Sequence, residues 1–356
     1  MYKYTYHTLG IRMTTVLFIN KKRQITTGTN WEGAYCYTGH SSGLANSVRM
    51  VVDMLTDLGI STAVEEAIDN NCIDRLVSYH KPKVVIIEAL WVIPSKFEIL
   101  QKLHPTITWY IRLHSEVSFI ANEGMAMGWL RDYATMYPTV RIAANSKRMR
   151  HDMTELLNVP IAYMPNYYHR DFITTTKVPS KQIINISCFG AIRPLKNHLT
   201  QAIAAIKFAD LRHATLRFHI NGTRVEGNGG PILKNLRELF KASKHELVEH
   251  TWLAHNDFKQ LIADEIDVGL QVSFTESYNI VAADHVDCNV PIVASPEVKF
   301  ISPMFTADPT SVQSIVDALQ WALYTRLLRG QILNSLRLSS TNRDAVSAWV
   351  NFCTGI

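Results

Sequence analysis

Short apolar runs alternate with longer amphipathic stretches along the chain, and they do so in two successive series. In the first, residues 15–20, 61–64, 84–88, 106–113, 141–144 and 161–164 read as strands. Between them, 43–58, 73–80, 95–103 and 146–157 show helical spacing, the last with Ser146 as an N-cap and a basic first turn behind it. Residues 165–182 (PNYYHRDFITTTKVPSKQ) are polar, contain two prolines and have no period, which predicts a linker. The second series has strands at 183–189, 216–220, 246–249, 266–272 and 291–294, and helices at 197–208, 231–240, 256–262, 280–288 and 311–324. Strand and helix in strict alternation predict two mostly parallel sheets, each covered on both faces. A ligand in such a sheet sits beyond the carboxyl ends of the strands, so two facing units place it in the cleft between them.

The length of 356 residues fits two such domains. The expected organisation is an N-terminal extension at 1–12, a Rossmann-like domain at 13–165, a linker at 166–182, a second Rossmann-like domain at 183–334 and a closing helix at 335–356. Met13 directly precedes the first apolar run, which sets the extension apart. With 47% hydrophobic residues each half can bury an ordinary core, and no apolar run reaches the roughly 18 residues of a membrane span. The first residues carry no continuous apolar segment, and the five cysteines are scattered without a C-x-x-C pair. Both features point to a reducing, cytoplasmic setting, with the thiols as buried bystanders. A net charge of +5 is compatible with a diphosphate ligand or with nucleic acid, and does not separate them.

Two stretches carry the chemistry. In QVSFTESYNIVAADHVDCNVPIVAS (271–295) a strand ends, a short loop follows, and a helix begins around Tyr278. Such a helix start offers unpaired N–H groups and a positive dipole end to an anion. Glu276 precedes the helix and Asp284 lies eight residues on. That separation is about 12 Å along a helix, too far for a paired acid and base on one bond, but suited to gripping two ends of an elongated hydroxyl-rich ligand. In CFGAIRPLKNH (188–198) Gly190 follows a strand, and the loop then delivers Arg193 and Lys196 to a helix opening at Asn197, a combination suited to a pyrophosphate.

The first stretch resembles, nearly residue by residue from Ser273 to Val293, the E-x(7)-E segment of glycosyltransferase family 4 and its GT-B relatives. The second is similar to that family's G-R-L-x-x-x-K-G loop, with Lys196 on the motif lysine, Ala191 at the usual arginine and Arg193 supplying that charge two residues later. The resemblance implies a GT-B fold, with two Rossmann-like domains facing across a cleft and a C-terminal helix crossing back to the first, anchored by Trp349 and Phe352. It implies that Glu276 contacts the donor sugar near its anomeric carbon. Asp284 then holds the nucleotide ribose, with aspartate in place of the usual glutamate. Gly190, Ser277, Tyr278 and Asn279 would complete the donor site, with Arg193 and Lys196 on the leaving phosphate. His114, in RLHSE at the end of the fourth strand, matches a family histidine that reaches the transferred sugar, and Gly39, Ser42 and Gly43 (GHSSG) match a glycine-rich loop. Asn145–Ser146 and Pro165–Asn166 match landmarks of the fold. The expected reaction is transfer with retention from a nucleotide sugar, a UDP-sugar first among the donors, with no cofactor. The chain contains no D-x-D, P-loop, H-E-x-x-H or G-x-S-x-G, so no metal is expected either.

The N-terminal portion, particularly HSSGLANSVRMVVDML (40–55), resembles glycosyltransferases of tailed bacteriophages. Two acceptors follow from that likeness: hydroxymethylated pyrimidines in DNA, or saccharides. For DNA, contacts would come from Lys22, Arg23 and Trp31 in a long basic and aromatic loop, and from Lys147, Arg148 and Arg150 in SKRMRH. The same run also reads as a solvated basic helix face. A nucleotide-sugar epimerase or hydrolase on this fold is the further alternative.

Overall fold

The computed structural model describes residues 15–22, 43–173, 177, 180, 182–241, 243–326 and 331–356. The 1–12 extension, most of the basic loop with Arg23 and Trp31, and Gly39 and Ser42 lie outside the described residues.

Two parallel sheets form the frame. The first contains β1 (Val16–Lys21), β2 (Thr62–Ala67), β3 (Val84–Glu88), β4 (Thr108–Leu113), β5 (Val140–Ala144) and β6 (Ala162–Tyr163), ordered β2-β1-β3-β4-β5-β6. Its helices are α1 (Gly43–Asp57), α2 (Cys72–His80), α3 (Pro94–Leu103), α4 (Val117–Ile120), α5 (Ala126–Thr135) and α6 (Lys147–Leu157). The second sheet contains β7 (Ile183–Ser187), β8 (Thr215–Ile220), β9 (Glu246–Glu249), β10 (Val268–Gln271) and β11 (Ile292–Ala294), ordered β11-β10-β7-β8-β9. Around it lie α7 (His198–Leu211), α8 (Gly230–Lys241), α9 (His255–Glu265), α10 (Ile280–Asp287) and α11 (Val312–Arg326), and α12 (Gln331–Thr354) ends the chain.

Central strands covered on both faces must be apolar throughout, and every residue of β3 and of β10 is buried. Strand order reverses between β1 and β3 in the first sheet and between β7 and β10 in the second. These are the switch points at which connections diverge to opposite faces and leave a crevice. The loop with Arg193 and Lys196 leaves β7, and the loop with Glu276 leaves β10, so the two motifs emerge side by side.

The predicted helices are present, with four differences. Residues 117–120 and 126–135 form helices that the pattern did not announce, because Gly124 and Gly128 interrupt a short, mixed stretch. α10 starts at Ile280 rather than Tyr278, since the Asn279 side chain caps it by accepting from the Ala282 amide at 2.9 Å. α7 opens at His198, with Asn197 in a left-handed conformation just before it. The closing helix begins four residues earlier than expected, at Gln331.

α12 crosses back to the first sheet. Trp349 is fully buried against Phe18 of β1, with ring centroids 5.7 Å apart, and Phe352 packs beside it. On the way it is clipped to the chain that links the sheets. Asn342 accepts from the Tyr168 amide at 3.1 Å and donates to the Tyr168 carbonyl at 2.7 Å. Arg170 reaches the Ser335 carbonyl and the Ser339 hydroxyl. Beneath this strap a buried Lys259 lies between Asp171 at 2.7 Å and Asp287 at 2.6 Å.

Candidate active site

A cavity of about 340 Å³ opens between the two sheets, beyond the carboxyl ends of their strands. Its second-domain wall is stitched together by bonds between backbone groups and from side chains to backbone. Phe274 donates its amide to the Leu195 carbonyl at 3.0 Å, Asn197 Nδ2 donates to the Val272 carbonyl, and Gln201 spans Val272 N and Lys196 O. The loops after β7 and β10 are thereby held in fixed register. Lys196 Nζ lies 2.5 Å from Glu276 Oε1, which also accepts from Asn279 Nδ2 at 3.1 Å. Arg193 stands beside them, 3.8 Å from Glu226 and 4.6 Å from the centroid of the Phe119 ring across the cleft. Arg193 Nε and the hydroxyls of Thr275 and Tyr278 are buried with no partner among the described residues. Buried polar groups in that condition are costly unless a ligand satisfies them.

The first-domain wall is built around a buried charge pair. Glu88 and Arg112 face each other across the β3–β4 register. Arg112 donates to both Glu88 carboxylate oxygens at 3.2 and 3.3 Å, to the carbonyls of Met164 and Pro165, and to Asn166 Oδ1 at 2.7 Å. Nearly every guanidinium donor is used, as a fully buried arginine requires. His114, one residue past β4, holds Glu88 Oε2 through its Nε2. Burial opposes ionisation of Glu88, but Arg112 and His114 outweigh it and lower its pKa. Burial, reinforced by Arg112 and only partly opposed by Glu88, lowers that of His114, so the ring is neutral.

The two walls touch at the mouth. Ser277 Oγ donates to the His114 carbonyl at 2.7 Å and accepts from Asn145 Nδ2 at 3.2 Å. Arg148 spans the domains, 3.1 Å from Glu116 and 2.6 Å from Glu297.

Of the residues singled out in the sequence, Gly43, His114, Gly190, Arg193, Lys196, Glu276, Ser277, Tyr278 and Asn279 all line this one cavity. Gly190 does so with φ +114°, and its amide is already given to Asn221 Oδ1 at 2.7 Å. Asp284 sits behind the main cavity in an adjoining slot of about 50 Å³, with Trp252 shared between the two. Its Oδ1 accepts from Tyr168 Oη and from His255 Nε2, each at 2.7 Å. Burial works against a charged His255, but Asp284 prevails and raises its pKa. Lys22, Lys147, Arg148 and Arg150 are not among the lining residues.

Residues that sequence reasoning missed line the same cavity. Arg224 stacks 4.1 Å above Trp252, and Glu123, Glu226 and Phe119 join them. They come from the segments that follow β4, β8 and β9, far apart along the chain. Away from the cavity, His219, His250 and Glu265 bring metal-type ligand atoms within 4.8 Å of one another. The two imidazoles, however, meet at 2.9 Å with planes only 14° apart and centroids 5.1 Å apart. That distance is nearly the N···N contact plus two ring radii, so each nitrogen points at the other, as in an N–H···N bond rather than toward a common ion.

Two facing, doubly wound domains with a returning C-terminal helix constitute the GT-B fold. No family model and no curated protein matches the chain. Solved structures do. A UDP-forming α,α-trehalose-phosphate synthase from Burkholderia vietnamiensis superposes with a TM-score of 0.66 at 11% identity, covering 97% of each chain. A sucrose-phosphate synthase from Thermosynechococcus elongatus gives 0.66 at 11%, over 96% of this chain and 100% of that one. A trehalose-6-phosphate protein from E. coli bound with UDP-2-fluoro glucose gives 0.64 at 10%, over 96% and 99%. At these identities the likeness establishes the shared fold.

Proposed function

We propose that the chain is a retaining glycosyltransferase that takes its sugar from a nucleotide diphosphate donor, a UDP-sugar first. The observation that carries this reading is the Lys196–Glu276 contact at 2.5 Å on the wall of a cavity between two GT-B domains. In the structure the cation and the carboxylate neutralise each other. A donor offers each a better partner: the diphosphate takes Lys196 together with Arg193, and the sugar hydroxyls take Glu276. The α10 N-terminus adds a favourable dipole for the departing phosphate. Donors aimed at developing negative charge in a water-excluded cleft are the largest single source of rate in such a reaction. The glycosidic bond breaks toward the diphosphate, the acceptor oxygen bonds to the anomeric carbon from the same face, and its proton passes to the leaving phosphate. The scheme needs no protein nucleophile.

For the acceptor, a saccharide hydroxyl is favoured over a hydroxymethylated base in DNA. The described first-domain residues that line the cavity include Glu116 and Glu123 and no lysine or arginine. Arg148, the central cation of the SKRMRH run, is held by two carboxylates.

The deciding experiment measures binding of UDP, GDP and ADP and their sugars by thermal stabilisation, then transfer to saccharide and to modified duplex DNA. Lys196→Ala and Glu276→Ala are each expected to lower turnover by about two orders of magnitude or more. Near wild-type transfer by either variant, or no stabilisation by any nucleotide sugar, overturns the reading. Donor consumption without acceptor would point to a hydrolase or epimerase.

A further inference from the structure

Glu88 is fully buried, and its two oxygens are committed to different donors. Oε1 faces Arg112, while Oε2 takes His114 Nε2 as well. A carboxylate in that position can only accept, so the shared proton resides on the histidine. His114 thus carries a proton on Nε2, and in the neutral ring its other nitrogen, Nδ1, keeps a bare lone pair. The ring lines the cavity opposite the Lys196–Glu276 wall, and the described residues give Nδ1 no partner. The lowered pKa of His114 agrees with a ring that stays neutral behind this carboxylate. Arg112 is in turn fixed by three further acceptors and by the Trp349 ring, 5.3 Å from its guanidinium carbon. The whole arrangement leaves the imidazole one orientation and one protonation state.

We infer that Glu88 is a positioning residue that sets His114 as a hydrogen-bond acceptor, so that Nδ1 receives the proton of a hydroxyl on the transferred sugar. The part concerning the sugar rests on the glycosyltransferase reading, while the part concerning the tautomer does not. A group that only accepts, such as a carboxylate or a carbonyl, finds no donor at this point of the wall. The site thus selects a donor sugar carrying a hydroxyl there.

Glu88→Gln tests it. In the variant the amide oxygen must stay on Arg112, so the amide NH₂ turns to His114 Nε2, which has to accept and pass its proton to Nδ1. ¹⁵N spectra of histidine-labelled protein at pH 7, with the His114 signals assigned by loss in His114→Asn, read both nitrogens directly. The expected result is unprotonated Nδ1 and protonated Nε2 in the wild type, exchanged in Glu88→Gln, with the wild-type Nδ1 signal moving on saturation with UDP-glucose but not with UDP. A wild-type imidazolium or Nδ1–H form overturns the inference even if the variant does not fold. So does a folded Glu88→Gln with the wild-type tautomer. If UDP and UDP-glucose both bind and Nδ1 stays still, the contact with the sugar is refuted; if neither they nor any GDP- or ADP-sugar binds, it is the nucleotide-sugar reading that fails.

Discussion

Replacing Trp349 by alanine isolates the energetic link between the chain's end and its beginning. The indole is fully buried, packs on Phe18 and Phe352, lies over the Arg112 guanidinium and donates Nε1–H to the Pro165 carbonyl at 2.8 Å. Removing a buried aromatic of this size costs about 3–5 kcal/mol in lost transfer energy and residual cavity. The hydrogen bond adds less than usual, about 0.5 kcal/mol, because Arg112 Nη2 still donates to Pro165 O at 3.0 Å and no acceptor is orphaned. The cation–π contact to a desolvated guanidinium adds about 1–2 kcal/mol. Arg112 keeps Glu88, so no uncompensated charge is created. The sum is about 4.5–7.5 kcal/mol, in the exceptional range for a single site. Trp349→Phe, which retains most of the area and loses the N–H, should cost about 1–2 kcal/mol. Urea unfolding at constant m-value, followed by tryptophan-independent circular dichroism, measures both. A Trp349→Ala loss below about 1 kcal/mol, or equal losses for the two variants, would show that the helix does not dock on the first sheet as described.

Lys259→Met leaves Asp287 buried with Arg170 and two backbone amides but without its closest cation, and should destabilise by about 3 kcal/mol or more in the same assay. Acid sensitivity should appear well above the carboxylate range, because burial pushes His198 and His219 down to about 3 and His285 down to about 4. Between those values and about 6.5 the unfolded chain binds protons that the native one refuses, so stability falls as pH drops; each site loses about 2 kcal/mol by pH 5. His255, raised by Asp284, works in the opposite sense, one site against six, since His114, His245 and His250 are lowered as well. A urea midpoint unchanged between pH 7.5 and pH 5 would contradict this. Gly229→Ala places a Cβ 2.0 Å from the Ile192 carbonyl oxygen, next to Arg193, so the loop must shift. A stability loss of about 1–3 kcal/mol with weaker nucleotide binding is expected, and unaltered binding by calorimetry would refute the coupling.

The alternation of apolar runs disclosed all the strands to within a few residues, because central parallel strands are apolar on both faces and need no partner to be recognised. Glu276 and Lys196 were legible for a local reason: each stands in a short loop between a strand and a helix. The Glu88–Arg112–His114 group was not. Its members sit at the ends of neighbouring strands 24 residues apart, and only the sheet register sets them opposite one another. The one local sign was a carboxylate closing the run VVIIE. Arg148 read as a phosphate ligand because its two carboxylate partners are 32 and 149 residues away. Asp284 was legible as part of the motif, while its neighbours Tyr168 and His255 belong to other segments. The helix at 126–135 escaped because its stability comes from packing against β5 and α3 rather than from a long periodic face, and that at 117–120 because a single turn has no period to show.

The clip between Asn342 and Tyr168 has a mechanical consequence. The two halves are joined by two passages of chain, and these bonds, with those from Arg170 to Ser335 and Ser339, fasten one passage to the other. Two separate tethers would permit twisting and sliding, whereas a pair pinned together behaves as one axle. Opening then becomes a rotation about that line, and it strains the Arg148–Glu297 ion pair that spans the two domains.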